Sequence, residues 1–289
     1  MLITVLRAVV LGILQGVTEF VPISSSGHLI IVPWLLGWDD PALISLSFDV
    51  ALHLGTLAAV LGFFAADWAR LIRAGIRSIA ERKVGADPDR RLAWFLVLGS
   101  IPGAIVGALA ESRIEELFHR PDRPIEPAAM LVMAGLIALM GALLYLADHL
   151  ARHLRGMSDL TLKDALLIGT AQAAAIFPGV SRSGATITAG LALGLKRDTA
   201  AKFSFLLSAP IIAGAGLKSL FDVAKEWQTG AMTTLDLALF VAGFTSAAVG
   251  GYLCIKFLLR YLQQHSTNVF VYYRWGLALV ILVAALVRG

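Results

Sequence analysis

Charge is what this sequence has least of. Asp, Glu, Lys and Arg make up 15% of its 289 residues, where a soluble globular domain carries about 25%. That supply cannot coat a chain of this length for water. Cysteine is nearly absent too. Cys254 stands alone, which excludes an intrachain disulfide and a thiolate metal cluster, and its apolar surroundings predict simple packing. The net charge of +4 does not point to nucleic acid, and no nucleic-acid partner is expected. In a lipid-facing chain the placement of Lys and Arg matters more than their sum.

What is present is oil. Hydrophobic residues make up 58% of the chain, in runs that reach the roughly 20 residues a helix needs to cross a bilayer. The expected class is an all-α polytopic membrane protein with one integral membrane domain over 1–289. The N-terminal run meets Gln15 and Glu19, with Arg7 placed late and no small-residue cleavage motif after it. It is therefore expected to stay in the mature protein rather than to be cut as a signal.

Crossings are predicted at 46–68, 92–110, 128–147, 203–217, 237–259 and 271–288. Two further regions are apolar but broken. Segment 1–20 stops at Pro22 and 29–36 is too short to cross. Likewise 165–177 stops at Pro178-Gly179, and 184–195 is short. Each reads as two half-length helices forming a re-entrant hairpin, over 1–37 and 164–195. Loop 70–91 has seven Lys or Arg against three acids, and loop 111–127 has five acids against three Arg. The positive-inside bias then puts 70–91, 149–163, 196–202 and 260–270 in the cytoplasm, with Lys256, Arg260 and Arg274 flanking the last turn. Loops 111–127 and 218–236 fall outside, as do both termini. The basic 70–91 cluster is read mainly as a topology signal, with anionic lipid as a minor alternative.

The two breaks resemble each other. Offset by 157 residues, Gly12 meets Gly169, Gln15 meets Gln172, Phe20 meets Phe177 and Ser24 meets Ser181. Ser26 and Gly27 meet Ser183 and Gly184, making six identities in sixteen positions. Three crossings separate the hairpins, so one copy is inverted relative to the other. The repeats run over about 1–110 and 160–289. Inverted repeats with broken helices place binding sites near the membrane midplane, where free backbone must be satisfied by protein or a wet cavity.

The polar residues at the breaks are the candidate site. Arg182 in lipid needs an anion or an acid. A guanidinium flanked by Ser181 and Ser183, near Gly179 and Thr186, suits phosphate oxygens. It could equally lock the fold by pairing with Glu19. Glu19, with Gln15 one turn earlier, could hold a divalent cation or move a proton. Ser24, Ser25, Ser26 and His28 invite a hydrolytic reading, with Ser24 and Ser26 joining the phosphate-binding set, although a serine there could simply cap the next helix. Asp49 and His53, spaced i,i+4, could form a second polar layer or only stabilise their helix.

These motifs resemble those of the undecaprenyl-diphosphate phosphatases of the bacitracin-resistance type. The family pattern (Glu/Gln)-x-x-x-Glu, then Pro-x-Ser-Ser-(Ser/Thr)-Gly-His, matches Gln15 to Glu19 and Pro22 to His28. Pro-Gly-x-Ser-Arg-Ser-x-x-Thr matches Pro178 to Thr186, and the likeness continues through "LSFDVALHLGTLAAVL" at 46–61. The resemblance implies six transmembrane helices plus two re-entrant hairpins, often as a homodimer, in the bacterial cytoplasmic (inner) membrane. It implies removal of the terminal phosphate from a C55 polyprenyl diphosphate, with Mg2+ or Ca2+. That activity would supply the lipid carrier for peptidoglycan and lower the target of bacitracin. It carries over Glu19, Ser25, His28 and Arg182 as the core of the site, with either a serine assisted by the histidine or a metal-directed water as attacker. Fold does not decide function. A carrier or flippase for polyprenyl phosphate is the competing reading, and a non-catalytic scaffold the third. Phosphate release separates the first two.

Overall fold

A computed structural model describes residues 2–118, 127–230 and 233–288. Eleven α-helices carry these residues: α1 Leu2–Phe20, α2 Ser25–Leu36, α3 Leu46–Phe63, α4 Ala65–Ala80, α5 Pro88–Phe118, α6 Pro127–Leu150, α7 Leu162–Ala173, α8 Arg182–Ala192, α9 Arg197–Gln228, α10 Thr234–Leu262 and α11 Asn268–Arg288. No β-strand occurs among the described residues, only one isolated bridge between Arg155 and Leu195. Seven stretches are long and apolar enough to cross a membrane: Leu2–Phe20, Pro41–Phe63, Pro88–Ala110, Ala128–Leu150, Arg197–Leu217, Thr234–Leu262 and Asn268–Arg288. The chain is a multi-pass membrane protein.

Several sequence expectations change. Residues 2–20 form one helix of 19 residues, about 28 Å at 1.5 Å per residue, which is not half-length. Its polar residues did not shorten it because Gln15 and Glu19 turn inward, while Leu6, Val10, Ile13 and Val17 face out. The crossing expected over 46–68 ends at Phe63, where the chain turns at Phe64. The "loop" 70–91 begins as α4, a separate helix. The long helices α5 and α9 run past the expected crossing ends at 110 and 217. Of the expected outer loops, 119–126 and 231–232 lie outside the described residues.

The short helices at the breaks stand as expected. α2 and α8 have 12 and 11 residues. α1 packs along α10 and α7 along α5, so each hairpin leans on a helix from the other half of the chain. The matched glycines serve these contacts. A Cβ at Gly12 would run into Ser246 Oγ, and one at Gly169 into Gly99 O.

Loops expected to share a side do share an end of the bundle. Asp148 accepts from Arg197 Nε at 2.6 Å and from the Thr267 amide at 3.0 Å. Arg155 donates to Leu193 O at 2.9 Å, and Lys202 Nζ approaches Asp67 Oδ2 at 3.2 Å. At the opposite end Arg288 Nη1 donates to Trp34 O at 2.6 Å, and Arg7 lies over the Trp38 ring. The two breaks meet between these ends.

Candidate functional site

The site forms where α2 and α8 begin. Ser24 caps α2 and Ser181 caps α8, with φ of 79° and 75°. A non-glycine residue held there costs about 1–3 kcal/mol. In both, the serine Oγ accepts from the amide three residues on: Gly27 at 3.2 Å and Gly184 at 3.0 Å. The first residues of α2 are Ser25 and Ser26, and those of α8 are Arg182 and Ser183. The first amides of a helix have no intrahelical acceptor. Two helix N-termini thus converge, an arrangement that favours anions.

Around this point the side chains divide into two groups. Ser24 Oγ accepts a second bond from Gly179 N at 3.1 Å, joining the two breaks. Ser183 Oγ donates to Val21 O at 3.1 Å. Ser181 Oγ lies 3.2 Å from Ser183 Oγ, and Thr186 Oγ1 2.6 Å from Ser204 Oγ. These four hydroxyls, all buried, hold protein to protein. Ser25, Ser26 and Arg182 remain partly open. Ser24, Ser26, Gly179, Ser181, Arg182, Ser183 and Thr186 are the seven expected phosphate ligands, and Ser25 is an expected member of the catalytic core.

Glu19 sits at the centre. Ser25 Oγ donates to Glu19 Oε2 at 2.6 Å and Gln15 Nε2 donates to the same oxygen at 3.2 Å. Arg182 Nη1 lies 3.5 Å from Glu19 Oε1. That nitrogen is buried and has no hydrogen-bond partner, as is Gln15 Oε1. His53 lies within coulombic reach of Glu19, and its Nδ1 bonds Asp49 O at 2.9 Å. The i,i+4 pair therefore meets through backbone, with the histidine facing the site's acid. The 157-residue offset lays Ser25 over Arg182 and Glu19 over Ile176, so the two breaks differ in the polar groups they carry.

His28 departs from expectation. Its Nδ1 is 2.6 Å from Ser24 O, and its Nε2 is 2.7 Å from the Tyr273 hydroxyl. A carbonyl only accepts, so Nδ1 carries a proton, while Nε2 shares a hydrogen bond with the tyrosine hydroxyl. Both nitrogens are engaged away from Ser25. Glu19, not His28, accepts the Ser25 hydrogen bond.

A family model described as "Bacitracin resistance protein BacA" matches residues 8–280. The chain belongs to the BacA family. A protein named undecaprenyl-diphosphatase in Pelotomaculum thermopropionicum is 46% identical over 284 residues, covering 98% of both chains. One of that name in Moorella thermoacetica is 46% identical over 285 residues, covering 99% of both.

In this BacA-family chain, sequence reasoning missed two residues of α11. Arg274 is fully buried. It donates to Pro22 O at 2.7 Å, Gly179 O at 2.8 Å, Val180 O at 3.0 Å and Ile137 O at 3.1 Å. One guanidinium thereby satisfies the freed carbonyls of both breaks, which apolar surroundings would otherwise leave unpaired at a cost. The sequence signal was an Arg six residues inside an apolar helix, read as a flank. Arg274→Met is expected to cost about 3–5 kcal/mol, the scale for removing one partner of a buried charged network. A lower denaturation midpoint in detergent checks this; an unchanged midpoint would leave the breaks held by their serine caps alone.

Tyr273 stacks on His28 with ring centroids 5.6 Å apart. It had no sequence signal, since the two residues lie 245 positions apart. Tyr273→Phe is expected to lower kcat less than about ten-fold, as for one net hydrogen bond. It should also be non-additive with His28→Asn. Additive losses would show that the two act separately.

Proposed function

We propose that this BacA-family protein hydrolyses undecaprenyl diphosphate to undecaprenyl phosphate and inorganic phosphate. The observation that carries the reading is Ser25, hydrogen-bonded at 2.6 Å to a buried carboxylate. The same carboxylate pairs with Arg182 Nη1, which has no hydrogen-bond partner, at two converging helix N-termini. A carrier needs the anion site but gives the Ser25–Glu19 pair no task. The names of the relatives support the same substrate.

Arg182 and the free first-turn amides bind the terminal phosphate. Ser25 Oγ attacks its phosphorus and passes its proton to Glu19. The bond to the bridging oxygen breaks, and undecaprenyl phosphate leaves with that oxygen. Glu19 gives that proton to the departing bridging oxygen; water then attacks the phosphoserine and passes a proton to Glu19, which returns it to Ser25 Oγ as phosphate departs. His28, fixed by Ser24 and Tyr273, holds the start of α2 in place.

A divalent cation fits this donor set. Among the described residues no group of three or more His, Cys, Asp or Glu gathers, so a self-sufficient protein cage is lacking. The Glu19 carboxylate and the orphaned Gln15 Oε1 offer hard oxygen ligands, and substrate phosphates supply the rest, the usual manner of Mg2+ and also open to Ca2+. Bound there, the ion would neutralise charge on the diphosphate.

The matching caps at Ser24 and Ser181, and the crossed packing of α1 on α10 and α7 on α5, support an inverted repeat with two re-entrant hairpins. The basic end of the bundle is then cytoplasmic and both termini external. Incubation of the purified protein in detergent with C55 diphosphate and Mg2+ tests the activity. Stoichiometric phosphate and C55 monophosphate are expected. Tight binding without phosphate release would return the carrier reading.

A further inference from the structure

The helix α4 has three faces where a soluble helix has two. Leu71 and Ser78 are buried, and Ser78 Oγ accepts from Trp94 Nε1 of α5 at 2.8 Å. That face belongs to the protein. A second face carries Ile72, Ile76 and Ile79, which are 56%, 62% and 64% exposed. At 100° per residue these fall on one stripe beside the buried one. Arg73 and Arg77 follow on a third stripe. Arg70 shares it but is committed to Asp67 and Asp89. Arg73 and Arg77 make no ion pair among the described residues; Arg73 Nε only reaches Ala69 O. The helix starts where the apolar α3 ends at Phe63. It lies at the end of the bundle that also holds Arg155, Arg197 and Lys202.

We infer that α4 lies in the membrane interface and binds anionic phospholipid headgroups through Arg73 and Arg77, with Ile72, Ile76 and Ile79 sunk among the acyl chains. Apolar and basic stripes side by side, on a helix parallel to the bilayer, match the division between acyl region and phosphate layer. Zwitterionic lipid would satisfy the isoleucines but leave two guanidinium groups without a net counter-charge. A basic group at an anionic leaflet is worth about five-fold in binding. The neighbouring basic residues share that attraction.

The test uses the full chain in nanodiscs of phosphatidylcholine and phosphatidylglycerol. A spin label is placed on Ile76→Cys in a Cys254→Ser background, with the arginines native. Collisions with oxygen are expected to exceed those with a water-soluble nickel chelate. The preference for spin-labelled phosphatidylglycerol over phosphatidylcholine is then measured. It should fall at least about two-fold in R73Q/R77Q, a fraction of the five-fold per charge, because other basic residues remain. Phosphate release by this variant in detergent, where no leaflet exists, should be unchanged. A water-exposed label would overturn the inference, as would an unaltered lipid preference in the folded variant. Spontaneous disulfide formation between copies at position 76 would overturn it too, by giving the face to a second protomer. The label measurement decides even if the double variant fails to fold.

Discussion

Arg182→Lys is expected to fold and to lose at least about 10²-fold in kcat/KM, the scale for one strong transition-state donor. That is about 2.7 kcal/mol of barrier. The substitution keeps the charge, so a lysine can still face Glu19 across the 3.5 Å gap now spanned by Nη1. What it removes is the planar fork. Arg182 opens α8, its side chain is 24% exposed, and Nη1 has an ion pair with Glu19 but no hydrogen-bond partner. Its hydrogen-bonding capacity is therefore not used up by the protein. An ammonium cannot place two N–H bonds on one phosphate at fixed spacing. Phosphate release at near-normal rates by the lysine variant would reduce Arg182 to a structural counter-charge for Glu19.

Ser25→Ala should lose more than about 150-fold in kcat. A lost hydrogen bond to a charged group costs about 1.5–3 kcal/mol, and a nucleophile must exceed that range. Ser26→Ala should fall inside it. Ser24→Ala should instead lower stability, since its Oγ accepts from both Gly27 and Gly179. Glu19→Gln keeps an acceptor oxygen but removes the base for the Ser25 proton, and should match Ser25→Ala in effect. Stereochemistry gives a second measure. With a chiral, isotopically labelled terminal thiophosphate, attack by Ser25 and then by water is two displacements and retains configuration. Inversion would assign the attack to water and leave Ser25 as a ligand of the phosphate.

Much of this protein was legible one segment at a time. The scarcity of charge and the length of the apolar runs require a helical membrane protein, since only closed backbone hydrogen bonding survives in lipid. Prolines and glycines at 22, 178 and 179 mark the breaks because they stop helices locally. Lys and Arg sort the loops, and the loops so grouped do share an end. The motifs around Glu19, Ser25, His28 and Arg182 are contiguous in sequence, so they were readable without coordinates.

Tertiary structure decided what depends on partners far along the chain. Segment 1–20 looked broken by polar side chains, but Glu19 turns inward to Ser25 of α2 and Arg182 of α8, and the helix runs on over Leu2–Phe20. Arg70, Arg73 and Arg77 looked like loop charges, because the contact of Ser78 with Trp94 that orients α4 is not local. Four of the seven hydroxyl, glycine and arginine positions read as phosphate ligands, Ser24, Ser181, Ser183 and Thr186, spend hydrogen bonds on other segments or on one another. His28 turned from Ser25 to Tyr273, 245 residues away. Arg274, a flank in sequence, holds both breaks together. Sequence by itself determined the solvent, the breaks and the residue types at the site, because each follows from local composition and backbone preference. Which polar atoms are spent on the fold and which stay free for a ligand was set only by packing, because a hydrogen bond is satisfied by whatever the fold brings near.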